Sequence, residues 1–191
     1  MINTVKNIHE VVITGNDLTL EQLVAVARYD AKITIDADAA ERIKASRAIV
    51  DKIVNSGAVV YGITTGFGSL CRVHISKEDC SQLQENLIRT HSCGFGKPFT
   101  RELTRAMMLI RINALVKGYS GIRPETLDTL IAMLNKGVHP YIPEKGSLGA
   151  SGDLAPLSHM VLPMLGLGDA AVRGQPAFEA LRVGHAAVQR H

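Results

Sequence analysis

The chain is expected to fold as a mainly α protein with a minor β element. Three observations predict this. Apolar residues recur at three- and four-residue spacing in one segment after another, most of these segments are bounded by a capping residue, a glycine or a proline, and β-branched runs are confined to two short stretches near the N-terminus.

Those two stretches, Val11–Thr14 and Lys32–Asp36, bracket a helix and are expected to pair as a small two-stranded sheet. Thr19-Leu-Glu-Gln22 reads as a capping box for the helix between them, with Leu20, Leu23, Val24 and Ala27 as its apolar stripe. A second helix is expected from an N-cap at Asp38 to Ser56, with Ala39, Ile43, Ser46, Val50, Ile53 and Val54 on one face and Gly57 as its stop. Gly57 to Val73 holds four glycines and the adjacent Thr64 and Thr65, a composition that suits a loop of fixed path. Helix restarts at Ser76, and the stripe Cys80, Leu83, Leu87, His91 carries it to Gly94. Thr100 caps a further helix with Leu103, Met107, Ile110 and Ala114 inward, closed by Gly118; Pro124 opens the next, through Leu127, Leu130, Ile131 and Leu134 to Gly137. Leu154–Leu165 is expected to be helical, bent or ended by Pro163, and helix resumes from Gln175 to an uncapped end at His191, as though it continued further.

At 191 residues, 46% hydrophobic with no tryptophan, the chain is long enough for a core built from Leu, Ile, Val, Ala and Met. The net charge of +3 is spread without blocks of like sign, which gives no support to nucleic-acid binding. No apolar run approaches the roughly 18 residues of a membrane span, and Met1-Ile-Asn-Thr-Val-Lys lacks signal-peptide character. Cys71, Cys80 and Cys93 are an odd set, consistent with a reducing cytoplasm. Together with His74 and His91 they match no zinc-finger or ribbon spacing, so no metal is expected.

The most informative segment is Glu144-Lys-Gly-Ser-Leu-Gly-Ala-Ser-Gly-Asp-Leu-Ala-Pro-Leu-Ser-His159. Within it, Ala150-Ser151-Gly152 can become an electrophile. If the Gly152 nitrogen closes on the Ala150 carbonyl and Ser151 loses water, the backbone forms a 4-methylidene-imidazol-5-one ring with an electron-poor exocyclic methylene. Gly152 offers an unhindered nitrogen, Ser151 a leaving hydroxyl, and Gly146, Gly149 and Gly152 permit a compressed turn. The plainer alternative is a glycine-rich turn opening a helix, with Asp153 as N-cap and Pro156 in the first turn.

The whole string resembles the signature of the aromatic amino acid ammonia-lyases, the family of histidine, phenylalanine and tyrosine ammonia-lyases and the related aminomutases. Tyr61-Gly-Ile-Thr-Thr-Gly66-Phe-Gly68, Leu83-Gln84-Glu-Asn86-Leu87, His91-Ser-Cys-Gly94, Gly118-Tyr-Ser-Gly121-Ile-Arg123 and Asn135-Lys-Gly137-Val-His-Pro140 are similar to family segments, in family order, from about Val11 to about Gly174. The resemblance implies the N-terminal portion of a helical-bundle enzyme: about 1–110 as an N-terminal helical subdomain and about 111–191 as the start of the bundle with the ring-forming loop.

It also implies roles. The ring from Ala150, Ser151 and Gly152 would serve as the autocatalytic cofactor, with no metal, and withdraw electrons from the amine of a small aromatic amino acid. Tyr61 would take the β-proton; read without the family, it is a tyrosine at a loop edge with a wet hydroxyl. Gly62, Gly66 and Gly68 would let that loop lie close to substrate. The pair Thr90-His91 would choose the substrate. Histidine enzymes typically carry Ser-His there, plant phenylalanine enzymes Phe-Leu and several tyrosine enzymes His-Leu, so histidine, giving urocanate and ammonia, is favoured; some tyrosine aminomutases also carry His. Ser69 stands where some aminomutases have Glu, which favours simple elimination. Asp153 would aid cyclisation, cap the helix, or both, and Asn113 and Arg123 read better as structural. Family members are homotetramers whose sites draw on three subunits and on residues later than His191. A non-catalytic fragment prone to self-association is therefore the alternative to an enzyme, and a tyrosine lyase or aminomutase the third reading.

Overall fold

The structure, a computed structural model, describes residues 2–66, 68, 75, 77–172 and 181–182. A short helix α1 (Ile2–Lys6) leads into β1 (Glu10–Ile13). β1 runs parallel to β2 (Lys32–Ile35), with Val11 beside Ile33 and Ile13 beside Ile35, and α2 (Leu20–Tyr29) connects them. The expected capping box is present: the Gln22 amide donates to Thr19 Oγ1 at 3.2 Å and the Thr19 amide to Gln22 Oε1 at 2.9 Å. Of the expected stripe, Ala27 is buried and Leu23 and Val24 pack half-buried against the core, while Leu20 is 76% exposed and Ala25 and Val26 complete the buried face.

Helix α3 (Ala37–Ser56) begins two residues before the expected start: Asp36, not Asp38, caps it by accepting from the Ala39 amide at 3.1 Å. Asp38 sits in the first turn, where its charge meets the helix dipole. Ala39 and Ile43 are buried, the later stripe residues are half-buried, and Gly57 ends the helix in the left-handed region at φ +68°. Helix α4 (Lys77–His91) stops three residues short of Gly94; Ser76, its expected start, lies outside the described residues.

Thr100 caps α5 (Arg101–Val116) by accepting from the Leu103 amide at 3.3 Å. Its inward face differs from the expected stripe. Leu103, Ile110 and Ala114 are exposed, whereas Thr104, Arg105, Met108, Leu109, Ile112, Leu115 and Val116 are buried. A charged residue inside this set hid its period. Arg105 is only 1% exposed: its Nε donates to the Val26 carbonyl at 2.9 Å, its Nη1 to the Leu134 carbonyl at 2.8 Å and to His139 Nε2 at 3.2 Å, and its Nη2 lies 3.3 Å from the Asp30 carboxylate. Asp30, at φ +60°, closes α2 in the left-handed conformation that Asp tolerates better than most residues, and it also pairs with Arg101.

Pro124 opens α6 (Pro124–Lys136), which buries Leu127, Leu130 and Leu134 and ends at Gly137, as its sequence predicts. Beyond it come β4 (Val138–Pro140), β5 (Pro143–Lys145), α7 (Leu154–Val161), a 3-10 turn at Leu162–Leu165 around Pro163, β6 (Asp169–Val172) and β7 (Leu181–Arg182). β5 pairs with β3 (Phe95–Pro98), and β6 lies between β4 and β7, all antiparallel. Leu181 and Arg182 therefore lie in a ladder instead of the helix expected from Gln175; the rest of that expected helix is outside the described residues. Among the described residues no helix is long and apolar enough to cross a membrane.

Replacing Arg105 with Leu removes one partner of Asp30, which keeps Arg101, and takes a buried donor from the Val26 and Leu134 carbonyls. Denaturant unfolding should show a loss of ~3–5 kcal/mol, and a loss under ~1 kcal/mol would contradict a structural role for the cluster. His139 adds a pH dependence. Burial first, then the Arg105 charge, push its imidazole from 6.5 down to about 4. Above pH 6.5 both states are neutral; as pH falls from there toward 4 the unfolded chain binds a proton that the fold refuses, so stability is lost through that window. Between pH 7 and 5 this contribution should be ~1–2 kcal/mol, and His139→Gln should remove it from the measured slope.

Candidate active site around the Ala150-Ser151-Gly152 turn

The β3–β5 ladder organises the site. Phe95 sits opposite Lys145, so in this antiparallel pair the chain entering β3 and the chain leaving β5 lie at the same end. His91 is four residues before Phe95 and Ala150 five after Lys145. The two chains touch at glycines: a Cβ on Gly146 would lie 2.9 Å from Gly94 Cα, and one on Gly94 would lie 3.0 Å from the Lys145 carbonyl oxygen and 3.1 Å from His159 Nε2. The Gly94 amide donates to that same Nε2 at 3.0 Å, which joins α7 to the junction. Burial pushes the His159 imidazole below its ordinary range, in keeping with a neutral acceptor.

The turn between β5 and α7 is tight. Gly149 and Gly152 take φ values of +89° and +73°, and a Cβ on Gly152 would come 2.8 Å from Ser147 Oγ. Ala150 and Ser151 are exposed at its tip. Asp153 occupies the N-cap position of α7, but its carboxylate makes no capping hydrogen bond. At φ −105° and ψ −7° the residue lacks the extended backbone that aims a capping side chain at the first amides. Pro156 lies in the first turn, where no intrahelical donor is missed.

At the end of α4, His91 Nδ1 is 2.8 Å from the Leu87 carbonyl. A carbonyl can only accept, so Nδ1 carries a proton and the neutral ring keeps its lone pair on Nε2. The Thr90 hydroxyl donates to the same carbonyl at 3.0 Å and fixes its own rotamer in doing so. His91 is half-buried and Thr90 exposed.

Tyr61 belongs to a separately braced loop. The Ile63 and Thr64 amides donate to the Val60 carbonyl at 3.1 and 3.0 Å, and Gly62 turns the chain at φ +75°. Thr64 Oγ1 donates to the Ala58 carbonyl at 2.6 Å and accepts from the Val60 amide at 2.9 Å, while Thr65 Oγ1 accepts from the Gly62 amide at 3.3 Å and donates to the Gly66 carbonyl at 3.0 Å. Both threonines and Gly66 are buried; Tyr61 is 64% exposed, and Gly68 is exposed at φ +56°. Phe67, Ser69, Cys71 and His74 lie outside the described residues. The ladder thus brings Gly94, three residues after His91, to the base of the turn, and the Tyr61 loop is braced by its own hydrogen bonds.

Sequence reasoning missed His159, Ser147 and the bracing by Thr64 and Thr65. His159 carried one signal, as a titratable side chain on an otherwise apolar helix. Asn113 donates to the Gly15 carbonyl at 3.3 Å, and Arg123 precedes α6 at its N-cap without a side-chain capping hydrogen bond. Among the described residues no three His, Cys, Asp or Glu side chains gather as a metal site.

Residues 18–189 match the family model described as aromatic amino acid lyase. The chain is 64% identical over 170 residues to a histidine ammonia-lyase of Clostridium tetani and 65% identical over 167 residues to one of Streptococcus sanguinis, matches that take in 89% and 87% of this chain. It spans about a third of the length of these relatives, 33% of each. Among solved structures, a histidine ammonia-lyase from Trypanosoma cruzi superimposes with a TM-score of 0.81 at 44% identity, over 90% of this chain and 33% of that one. A tyrosine aminomutase from Streptomyces globisporus does so at 0.79 and 36% identity, over 87% and 31%. The chain belongs to the aromatic amino acid lyase family.

Proposed function

We propose that this chain serves a carbon–nitrogen lyase that eliminates ammonia from an aromatic L-amino acid, foremost histidine to urocanate. The observation that carries the reading is the exposed Ala150-Ser151-Gly152 turn, with Gly149 and Gly152 at φ +89° and +73°, tied through Gly94 to the segment that bears His91. The turn fits a 4-methylidene-imidazol-5-one. Gly152 holds φ +73°, a left-handed conformation that favours glycine, and Ser151 lies at the open tip. Such a ring, when present, supplies an electron sink that makes the substrate amine a better leaving group.

The remaining work falls to side chains. Tyr61, exposed on a loop held rigid by Thr64 and Thr65, takes the β-proton, and Gly62, Gly66 and Gly68 keep that loop slim beside substrate. His91, its Nδ1 proton engaged by Leu87, offers Nε2 to an imidazole N–H of the substrate, and Thr90 steadies the same helix end. Asp153, whose carboxylate is not engaged in capping, stays available beside Gly152 to assist cyclisation. In the same reading the working protein is a cytoplasmic homotetramer that binds no metal, membrane or nucleic acid.

One observation favours a second reading, in which these residues alone turn nothing over. The chain spans a third of its relatives' length, and Leu103, Ile110 and Ile49 present apolar surface on α5 and α3. Assaying ammonia release from histidine, tyrosine and phenylalanine separates the readings: release from histidine alone supports the first, a β-amino acid product from tyrosine points to an aminomutase, and no release from any sinks the enzyme claim for this chain.

Intact mass should be lower than the sequence mass by two waters, and Ser151→Ala should abolish that deficit. In the active protein Tyr61→Phe should reduce kcat ~10²–10⁴-fold with the mass deficit retained. His91→Leu should reduce kcat/KM for histidine about 10- to 100-fold with the mass deficit retained, and a loss under about 3-fold would argue against a selecting role.

A further inference from the structure

The junction at Gly94 does more than close a ladder. Its amide is the donor to His159 Nε2, its Cα lies against Gly146, and any Cβ added to it would meet the Lys145 carbonyl, the His159 ring and Pro143 at 3.0–3.2 Å. Gly146 begins the descent into the Ala150-Ser151-Gly152 turn, and α7 leads out of it. Both ends of the turn are therefore referenced to one residue, which follows His91 by three positions. His159 lies six residues after Asp153 along α7, a helical rise of about 9 Å, so it reaches back across the base of the turn.

We propose that His159 is a positioning residue: by accepting the Gly94 amide it holds the His91 end of α4 against the Ala150-Ser151-Gly152 turn and so sets where the substrate side chain sits relative to the reacting carbon. This rests on the lyase reading for its catalytic consequence. A histidine that merely filled space would not need its Nε2 directed at an amide of a different segment; burial favours the neutral ring, and the Gly94 N–H requires the lone pair on Nε2. The link has no slack, because the same approach that forms the hydrogen bond excludes a side chain at Gly94. Misplacement of about 1 Å at such a link can cost on the order of 100-fold in rate.

The test compares His159→Leu, which removes the acceptor, with His159→Gln, whose Oε1 can replace Nε2. Hydrogen exchange at Gly94 and the His91 imidazole resonances should change in the Leu variant and stay near the parent in the Gln variant. With the two-water deficit retained, His159→Leu should lower kcat/KM for histidine about 10- to 100-fold, mainly through kcat, and His159→Gln should stay within about 3-fold. In a His91→Leu background His159→Leu should have little further effect, a non-additivity that a general packing defect does not produce. Equal losses in the Leu and Gln variants, full additivity with His91→Leu, or unchanged exchange at Gly94 overturns the proposal. If the Leu variant does not fold, His159→Ala replaces it in each comparison. If the unmodified chain releases no ammonia, the lyase reading fails by itself, and the exchange and His91 resonances still decide whether His159 positions this segment.

Discussion

A guanidinium with almost no access to water holds this fold together. Taking the Arg105 charge out of solvent costs several kcal/mol, and that cost is offset only when each donor direction finds a good acceptor. The acceptors come from three separate places: the Val26 carbonyl and Asp30 carboxylate at the end of α2, the Leu134 carbonyl at the end of α6, and the His139 ring on β4. Hydrophobic contacts among Met108, Leu109, Ile112 and Leu127 supply the larger driving force but specify position loosely. The Arg105 cluster specifies it closely, because an acceptor out of place leaves a buried charge unsatisfied.

From that cluster the constraint runs to the site along a short path. His139 fixes β4, and two residues beyond β4 Ile142 is fully buried, its carbonyl accepting from the Phe99 amide at 2.9 Å. The next residue opens β5. Phe99 itself leads into α5, the helix that carries Arg105. One end of the β3–β5 ladder is thus pinned to the core, and the other carries the candidate site. Tyr141, between β4 and β5, adds a cross-link from its hydroxyl to the Gly96 carbonyl at 3.0 Å.

Helix ends were legible in the sequence where a cap depends on one side chain and a neighbouring amide. Thr19 with Gln22, Thr100, Pro124, Gly57 and Gly137 all behave as their local chemistry dictates. Helix faces were less legible. The α5 stripe was displaced because its buried set includes Arg105, and the cluster that makes a buried arginine tolerable is assembled from residues 26, 30, 134 and 139, far away in sequence. The small ladders escaped notice for a related reason. Phe95-Gly-Lys-Pro98 and Pro143-Glu-Lys145 lack the alternating β-branched residues of ordinary strands, and their pairing is set by the approach of Gly94 to Gly146. At the site, Ala150, Ser151 and Gly152 stood out by chemical type alone. His159 did not, because the meaning of a lone histidine lies in what its nitrogen faces.

The exposure of the turn tip and the rigidity of its base belong to one physical arrangement. A backbone that is to cyclise needs an approach distance shorter than relaxed turns provide, so it must be compressed, and compression persists only if the flanking elements cannot relax. Here the flanks are a strand hydrogen-bonded to β3 and a helix joined to the same junction, while Gly152 holds a left-handed φ of +73°. A turn buried at its tip would hold the same compression but admit no substrate. A turn loose at its base would admit substrate and lose both the compression and the register with His91. The tip is exposed and the base is braced, and the two properties rest on different residues: Ala150 and Ser151 at the tip, Gly94, Gly146 and His159 at the base.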